Sequence, residues 1–364
     1  MKIAIIAPLV SAIREPQGGG SQAFVSDLAR GLVGRGHEVH VYAASGSDVP
    51  GVPVIDTGVD HRSLSATLYR ASGATADPLA AAETAFAGVY SAVRENRYDV
   101  VHNHAFDAPA VSLATTLHAP VVHTVHLPPD EAVAAAVEDA AGWDTPPAVV
   151  AVSHFQASAW RRVVPVDAIL PPCVPTGRIK WSPTPGDGAV FGGRFSPEKG
   201  VAEAIDIAHA AGVDIDVYGD PYDAEYATER IDPRRSEPGV RVHPGVPRSS
   251  LWEAMARATV VLCPARWDEP FGMVAAEAQA CGTPVVAFKR GALGEVVVDG
   301  LTGFLVAPDD VRAAADAVRL TAGLSRSDCR DHAERNLDLE VSLEGHDQLY
   351  RRVVGVGDGA AVRG

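Results

Sequence analysis

The sequence predicts an α/β protein made of two doubly wound, parallel-sheet, Rossmann-like domains that face each other across a cleft. Three observations predict it. Short runs rich in Val and Ile alternate with helical patterns along the chain. A proline- and glycine-rich break between Pro171 and Gly188 interrupts that alternation once. The 364 residues are too many for one ordinary core and fit two domains of common size.

In the first half, Lys2–Pro8 reads as a strand, 21–35 as a helix and 38–43 as a strand. Then come 78–95 as a helix and 99–102, 120–125 and 149–153 as strands. The strand runs are nearly continuous in apolar residues, as expected of strands covered on both faces, and strands alternating with helices argue for βαβ units. Pro171, Pro172, Pro175, Pro183 and Pro185, interleaved with Gly177, Gly186 and Gly188, block helices and central strands alike. The alternation restarts with strands at 189–193, 215–218, 240–242, 260–263 and 284–288, and helices at 200–211, 249–258 and 271–280. This places an N-terminal domain at 1–175, a linker at 176–188 and a C-terminal domain at 189–341. Ligands of such sheets bind at the carboxyl ends of the strands, so the cleft between two of them is the expected active site.

Composition narrows the partners. With 47% apolar and 21% charged residues the chain is globular. A net charge of −15 repels phosphate polymers, so no nucleic acid is expected. A local basic patch is compatible with that total, which leaves a lipid acceptor open. No apolar run reaches the roughly 20 residues of a membrane helix. The opening segment is short, is stopped by Pro8 and lacks a cleavage signal, so a cytoplasmic location is expected. Cys173, Cys263, Cys281 and Cys329 are widely spaced and read as free thiols in a reducing compartment.

Four clusters carry candidate chemistry. Glu269-Pro270-Phe271-Gly272-Met273-Val274-Ala275-Ala276-Glu277 runs from a loop into a helix expected to begin near Phe271. The first turn of a helix offers free N–H groups and a positive dipole end, and a carboxylate binds a vicinal diol through charge-assisted hydrogen bonds. Taken alone, the two glutamates read more readily as solvated helix-end charges. Gly192-Gly193-Arg194-Phe195-Ser196-Pro197-Glu198-Lys199-Gly200 follows a strand; its glycines admit a diphosphate and its two cations can neutralise one. Alone, it equally fits an exposed loop. Gln17-Gly18-Gly19-Gly20-Ser21 sets flexible backbone at a helix start, suited to phosphate or sugar or to a simple tight turn. His102 and His104, then His123 and His126, stand at strand ends. Their spacing admits a zinc reading, but no carboxylate or thiol completes a shell, and hydrogen bonding to backbone explains them as well. Asp214-Ile215-Asp216 starts a strand and reads as structural.

In this order and spacing the clusters resemble the GT-B retaining glycosyltransferases of family 4, also called group 1, from the N-terminal strand to about Pro308. The resemblance is strongest at E-P-F-G-x-x-x-x-E and at Ala280-Cys281-Gly282-Thr283-Pro284-Val285-Val286-Ala287. Gly291-Ala292-Leu293-Gly294 departs from it, standing where a Gly-Gly pair is common, and 56–77 and 221–239 match no motif of the family. The resemblance implies metal-independent transfer of a hexose, without a cofactor, from a UDP- or GDP-sugar to a hydroxyl of a small molecule, saccharide or lipid, by a monomer or homodimer. It implies that Arg194 and Lys199 bind the diphosphate, that Glu269 and the N–H groups of Phe271, Gly272 and Met273 hold the donor sugar, and that Glu277 holds the ribose. It assigns Gly19 and Gly20 to the donor from the opposite domain, His126 to the transferred sugar and, less directly, His104 to the acceptor side. It also implies a last helix, about 342–356, returning to the N-terminal domain. Two other readings are a nucleotide-sugar isomerase of the same fold, such as a 2-epimerase, which would turn over donor alone, and a non-catalytic sugar-nucleotide binder.

Overall fold

The computed structural model describes residues 1–64 and 76–355, so part of the unmatched segment 56–77 lies outside the described residues. The chain divides into two units. The first gathers Met1–Arg14, Gly20–Pro172 and the chain from Glu340 onward; the second gathers Glu15–Gly19 and Cys173–Leu339.

The described strands of the first unit are β1 (Lys2–Ile6), β2 (Glu38–Ala43), β3 (Val54–Asp56), β4 (Val100–Asn103), β5 (Val121–Val125), β6 (Ala148–Ala151) and β7 (Ala168–Ile169). They form a parallel sheet in the order β3-β2-β1-β4-β5-β6-β7. Its helices are α1 (Gly20–Gly34), α2 (His61–Leu64), α3 (Ala76–Arg94), α4 (Ala108–Ser112), α5 (Glu131–Ala140) and α6 (His154–Trp160). The second unit repeats the plan with β8 (Ala189–Gly192), β9 (Ile215–Tyr218), β10 (Val240–His243), β11 (Val260–Cys263), β12 (Val285–Phe288) and β13 (Gly303–Val306), in the order β10-β9-β8-β11-β12-β13 and again parallel. Its helices are α7 (Val201–Ala211), α8 (Ala224–Tyr226), α9 (Arg248–Arg257), α10 (Met273–Ala280), α11 (Leu293–Val296), α12 (Val311–Leu320) and α13 (Arg326–Asn336). In both sheets the order reverses beside the first strand, between β1 and β4 and between β8 and β11. The loops leaving those strands at their carboxyl ends border the ligand crevice of a doubly wound sheet.

The Pro/Gly-rich run 176–188 belongs to the second unit and is tied to it: Ser182 N–H donates to the Cys281 carbonyl, Asp187 N–H to that of Arg257, and Arg326 Nε to that of Ser182. The loop Glu15–Gly19 is also counted with the second unit. The last helix, α14 (Leu339–Val354), packs within the first unit from Glu340 on. Arg35 bridges Glu340, Glu344 and Asp347 on it, and Gly31 leaves room for Leu343, whose Cδ1 would lie 2.5 Å from a Cβ there. Among the described residues, no helix is long and apolar enough to cross a membrane. Cys263, Cys281 and Cys329 are free thiols, and burial pushes Cys263 and Cys329 up to about 12.

Candidate active site

The loops after β8 and β11 are locked to each other. Arg266 N–H donates to the Glu198 carbonyl at 2.9 Å. Gly200 takes φ 73°, and a Cβ there would stand 1.9 Å from the Pro264 carbonyl oxygen, so only glycine permits this approach. The lock brings two of the expected residues into contact: Lys199 Nζ donates to Glu269 Oε1 and lies 4.8 Å from the centre of the Trp267 ring. The backbone of Glu269 is fixed in turn, because Ala292 N–H donates to its carbonyl at 2.8 Å. Gly291, at φ 56°, packs so close that a Cβ would lie 2.4 Å from Glu269 N. Arg194, in the same loop as Lys199, approaches Glu198 at 3.4 Å and stacks its guanidinium 4.4 Å above the Tyr222 ring.

Helix α10 begins at Met273, two residues later than expected. Gly272, at φ 105°, is its N-cap and cannot be part of a right-handed turn. The side chain of Phe271 is buried in the core, so this residue can offer a ligand its backbone but not its ring. Glu277 lies in the second turn, 4% exposed, and a buried carboxylate needs a partner. The partner is Arg248: Nη2 and Nε lie 2.7 and 2.9 Å from Glu277 Oε1. Arg248 also donates its backbone N–H to Glu15 Oε2 at 3.0 Å, and its guanidinium lies 4.9 Å from the Trp252 ring. Sequence reasoning missed Arg248, Trp267 and Tyr222. Arg248 carried a signal: it is the first residue of α9, where the helix dipole disfavours a cation.

In the first unit, Gly20 opens α1 and is exposed, while Gly19 is half-buried and counted with the second unit. His126 follows β5 and is 8% exposed; His104 follows β4 and is 0% exposed. The two are bonded, His104 Nδ1 to His126 Nε2 at 2.9 Å. Full burial keeps His104 from presenting a side-chain atom to an acceptor directly. Nearby, His102 bonds Thr124 Oγ1 at 2.7 Å and the Tyr350 hydroxyl at 2.6 Å, and His123 bonds Asn103 Nδ2 at 2.9 Å. Burial holds all these imidazoles neutral, with His123 pushed down to about 4 and His126 to about 3. Among the described residues, no three His, Cys, Asp or Glu are grouped to hold a metal ion. Asp214 and Asp216 are both bound by Arg241, at 2.9 and 2.8 Å, and Asp216 also by His243 at 2.7 Å, so this pair is a surface brace. The Arg241 hydrogen bond lowers the Asp216 carboxyl below its usual range.

Comparison with known proteins bears on the chemistry of these loops. Residues 183–334 match the family described as Glycosyl transferases group 1, and residues 18–178 match Glycosyltransferase Family 4. The D-inositol 3-phosphate glycosyltransferase of Mycolicibacterium smegmatis is 32% identical over 390 residues, covering 92% of this chain and 87% of that protein. Among solved structures, sucrose-phosphate synthase from Thermosynechococcus elongatus superposes with a TM-score of 0.78 at 21% identity, covering 98% of this chain and 100% of that one. HepE from Anabaena, solved in complex with UDP-glucose, superposes with a TM-score of 0.75 at 20% identity, covering 97% and 100%. At that identity the two structures speak for the fold.

Proposed function

This chain belongs to the group 1, family 4 glycosyltransferases of GT-B fold, and from that premise we propose that it moves a sugar from a nucleoside-diphosphate donor to a hydroxyl acceptor with retention of anomeric configuration, without metal or cofactor. The observation that carries the proposal is the contact of Lys199 with Glu269 where the second sheet reverses its order. A cation and a carboxylate held side by side in that crevice suit the two ends of a nucleotide sugar. Lys199 and Arg194 take the diphosphate and stabilise the charge that develops as it departs. Glu269, released by Lys199 when the diphosphate arrives, accepts hydrogen bonds from sugar hydroxyls, beside the N–H groups of Phe271, Gly272 and Met273. Arg248 Nη2 and Nε lie on Oε1 of Glu277, and Oε2 is assigned to a ribose hydroxyl. Gly19 and Gly20 contribute backbone to the donor, and His126 contributes a ring nitrogen to the transferred sugar.

HepE holds UDP-glucose and the Mycolicibacterium relative is named for an inositol phosphate, so UDP-sugars and D-inositol 3-phosphate are the first pair to assay. The experiment is release of nucleoside diphosphate with and without acceptor. Acceptor-dependent release supports the proposal. Epimerised sugar from donor alone, with no transfer to any hydroxyl acceptor, defeats it.

A further inference from the structure

The buried imidazoles of the first unit constrain one another's protons. His104 Nδ1 lies 2.9 Å from His126 Nε2, and His104 Nε2 is buried with no hydrogen-bond partner among the described residues. The His104 ring packs on that of His102, centroids 3.9 Å apart, and meets Phe24 at 5.8 Å. Both nitrogens of His102 are already engaged, by Tyr350 and Thr124, so neither serves His104.

A neutral imidazole carries one N–H and one bare nitrogen. One proton must therefore lie between His104 Nδ1 and His126 Nε2, and there are two ways to supply it. If His126 donates, the proton of His104 sits on Nε2 as a buried N–H without an acceptor. If His104 donates, the unpartnered atom is a bare nitrogen. An orphaned buried N–H is the rarer defect. The same choice is visible at His346 in this cluster. Its Nδ1 is 2.7 Å from the Ser342 carbonyl, which only accepts, so His346 is protonated on Nδ1 and its unpartnered Nε2 is bare.

We propose that His104 is a positioning residue that donates from Nδ1 to His126 Nε2, so that His126 keeps its proton on Nδ1 and offers the substrate an N–H donor. The assignment to substrate rests on the role of His126 in sugar transfer proposed above; the tautomer does not. Without this partner the His126 ring is free to exchange tautomers and to offer a bare nitrogen, which can only accept a hydrogen bond from a substrate hydroxyl and cannot donate one to its oxygen.

The test is histidine side-chain 15N NMR on the full-length protein, with His126 assigned by the signals lost in His126→Asn. The expected result is a single His126 tautomer protonated on Nδ1. His104→Phe, which keeps a ring but no nitrogen, should admit the other tautomer and lower kcat by ~10-fold or more, with a smaller change in donor KM. His104→Asn, which restores an N–H near the place of Nδ1, should recover part of both. A wild-type His126 protonated on Nε2 overturns the proposal, as does a His104→Phe enzyme with unchanged tautomer and kcat. Should His104→Phe not fold, the wild-type tautomer decides. Absence of transfer by wild type would sink the glycosyltransferase chemistry proposed above and leave the NMR result standing.

Discussion

Arg248 and Glu277 form a buried ion pair, with guanidinium Nη2 2.7 Å from Oε1 and side chains only 10% and 6% exposed. It joins the start of α9 to the second turn of α10, the helix whose N-terminus borders the proposed donor site. A buried carboxylate stripped of its counter-charge is worth ~3–5 kcal/mol of destabilisation. Arg248→Met should therefore lose about that much in denaturant unfolding, whereas Arg248→Met combined with Glu277→Leu should recover most of it. A single substitution costing under ~1 kcal/mol would mean that water already reaches the pair.

Lys199 bears on rate. In the proposed chemistry its ammonium exchanges Glu269 for the departing diphosphate. Lys199→Ala should lower kcat by ~10²-fold or more, measured as nucleoside-diphosphate release at saturating donor. Near-normal turnover would remove Lys199 from the site.

Gly200 should tolerate no side chain. At φ 73° and with the Pro264 carbonyl 1.9 Å from any Cβ, Gly200→Ala must push the Lys199 loop away from the Glu269 loop. The expected result is a loss of stability above ~1 kcal/mol together with a fall in kcat. A stable, fully active Gly200→Ala enzyme would show that the two loops need not be locked.

The buried histidines set a pH dependence. His126 is pushed down to about 3, and His123 and His346 to about 4, all by burial. When the chain unfolds they regain their ordinary value near 6.5. Between those values the unfolded chain binds more protons, so stability falls as pH falls, by up to ~1.4 kcal/mol per histidine for each pH unit below about 6.5. The slope these groups contribute fades between about pH 7 and pH 8. Thermal midpoints from pH 8 to pH 4.5 should therefore be level and then drop. Replacing His123 with Gln should flatten the drop; an unchanged slope would place the cause elsewhere.

The strands of both sheets were legible because fully covered parallel strands are written as Val- and Ile-rich runs. The short strands Val54–Asp56 and Ala168–Ile169 were not, since two or three residues carry no period, and Gly303–Val306 was missed as well. The start of α10 was misplaced because Gly272 looks like any other glycine until its φ of 105° is known. Lys199 and Glu269 were legible as motif residues, but their contact spans 70 positions and no local pattern encodes it. Arg248 was hidden for the same reason, 29 positions from Glu277. His104 was expected on the acceptor side because the family resemblance implies it. Its complete burial depends on His102 and Phe24, which the sequence lists without placing beside it.

The proposed metal independence distinguishes this chemistry from sugar transfer that needs a divalent ion to hold the diphosphate. With Arg194 and Lys199 in that role, EDTA should leave initial rates unchanged. A loss restored by Mg²⁺ or Mn²⁺ would contradict the assignment of these two cations.

Retaining transfer from a nucleotide sugar is read most plainly in the anomeric configuration of the product. The protein would be incubated with a UDP-sugar of known anomeric configuration and an acceptor on which release of UDP depends, and the product read by its anomeric proton coupling in NMR. The expected product is a glycoside with the configuration of the donor. A product of inverted configuration would contradict it.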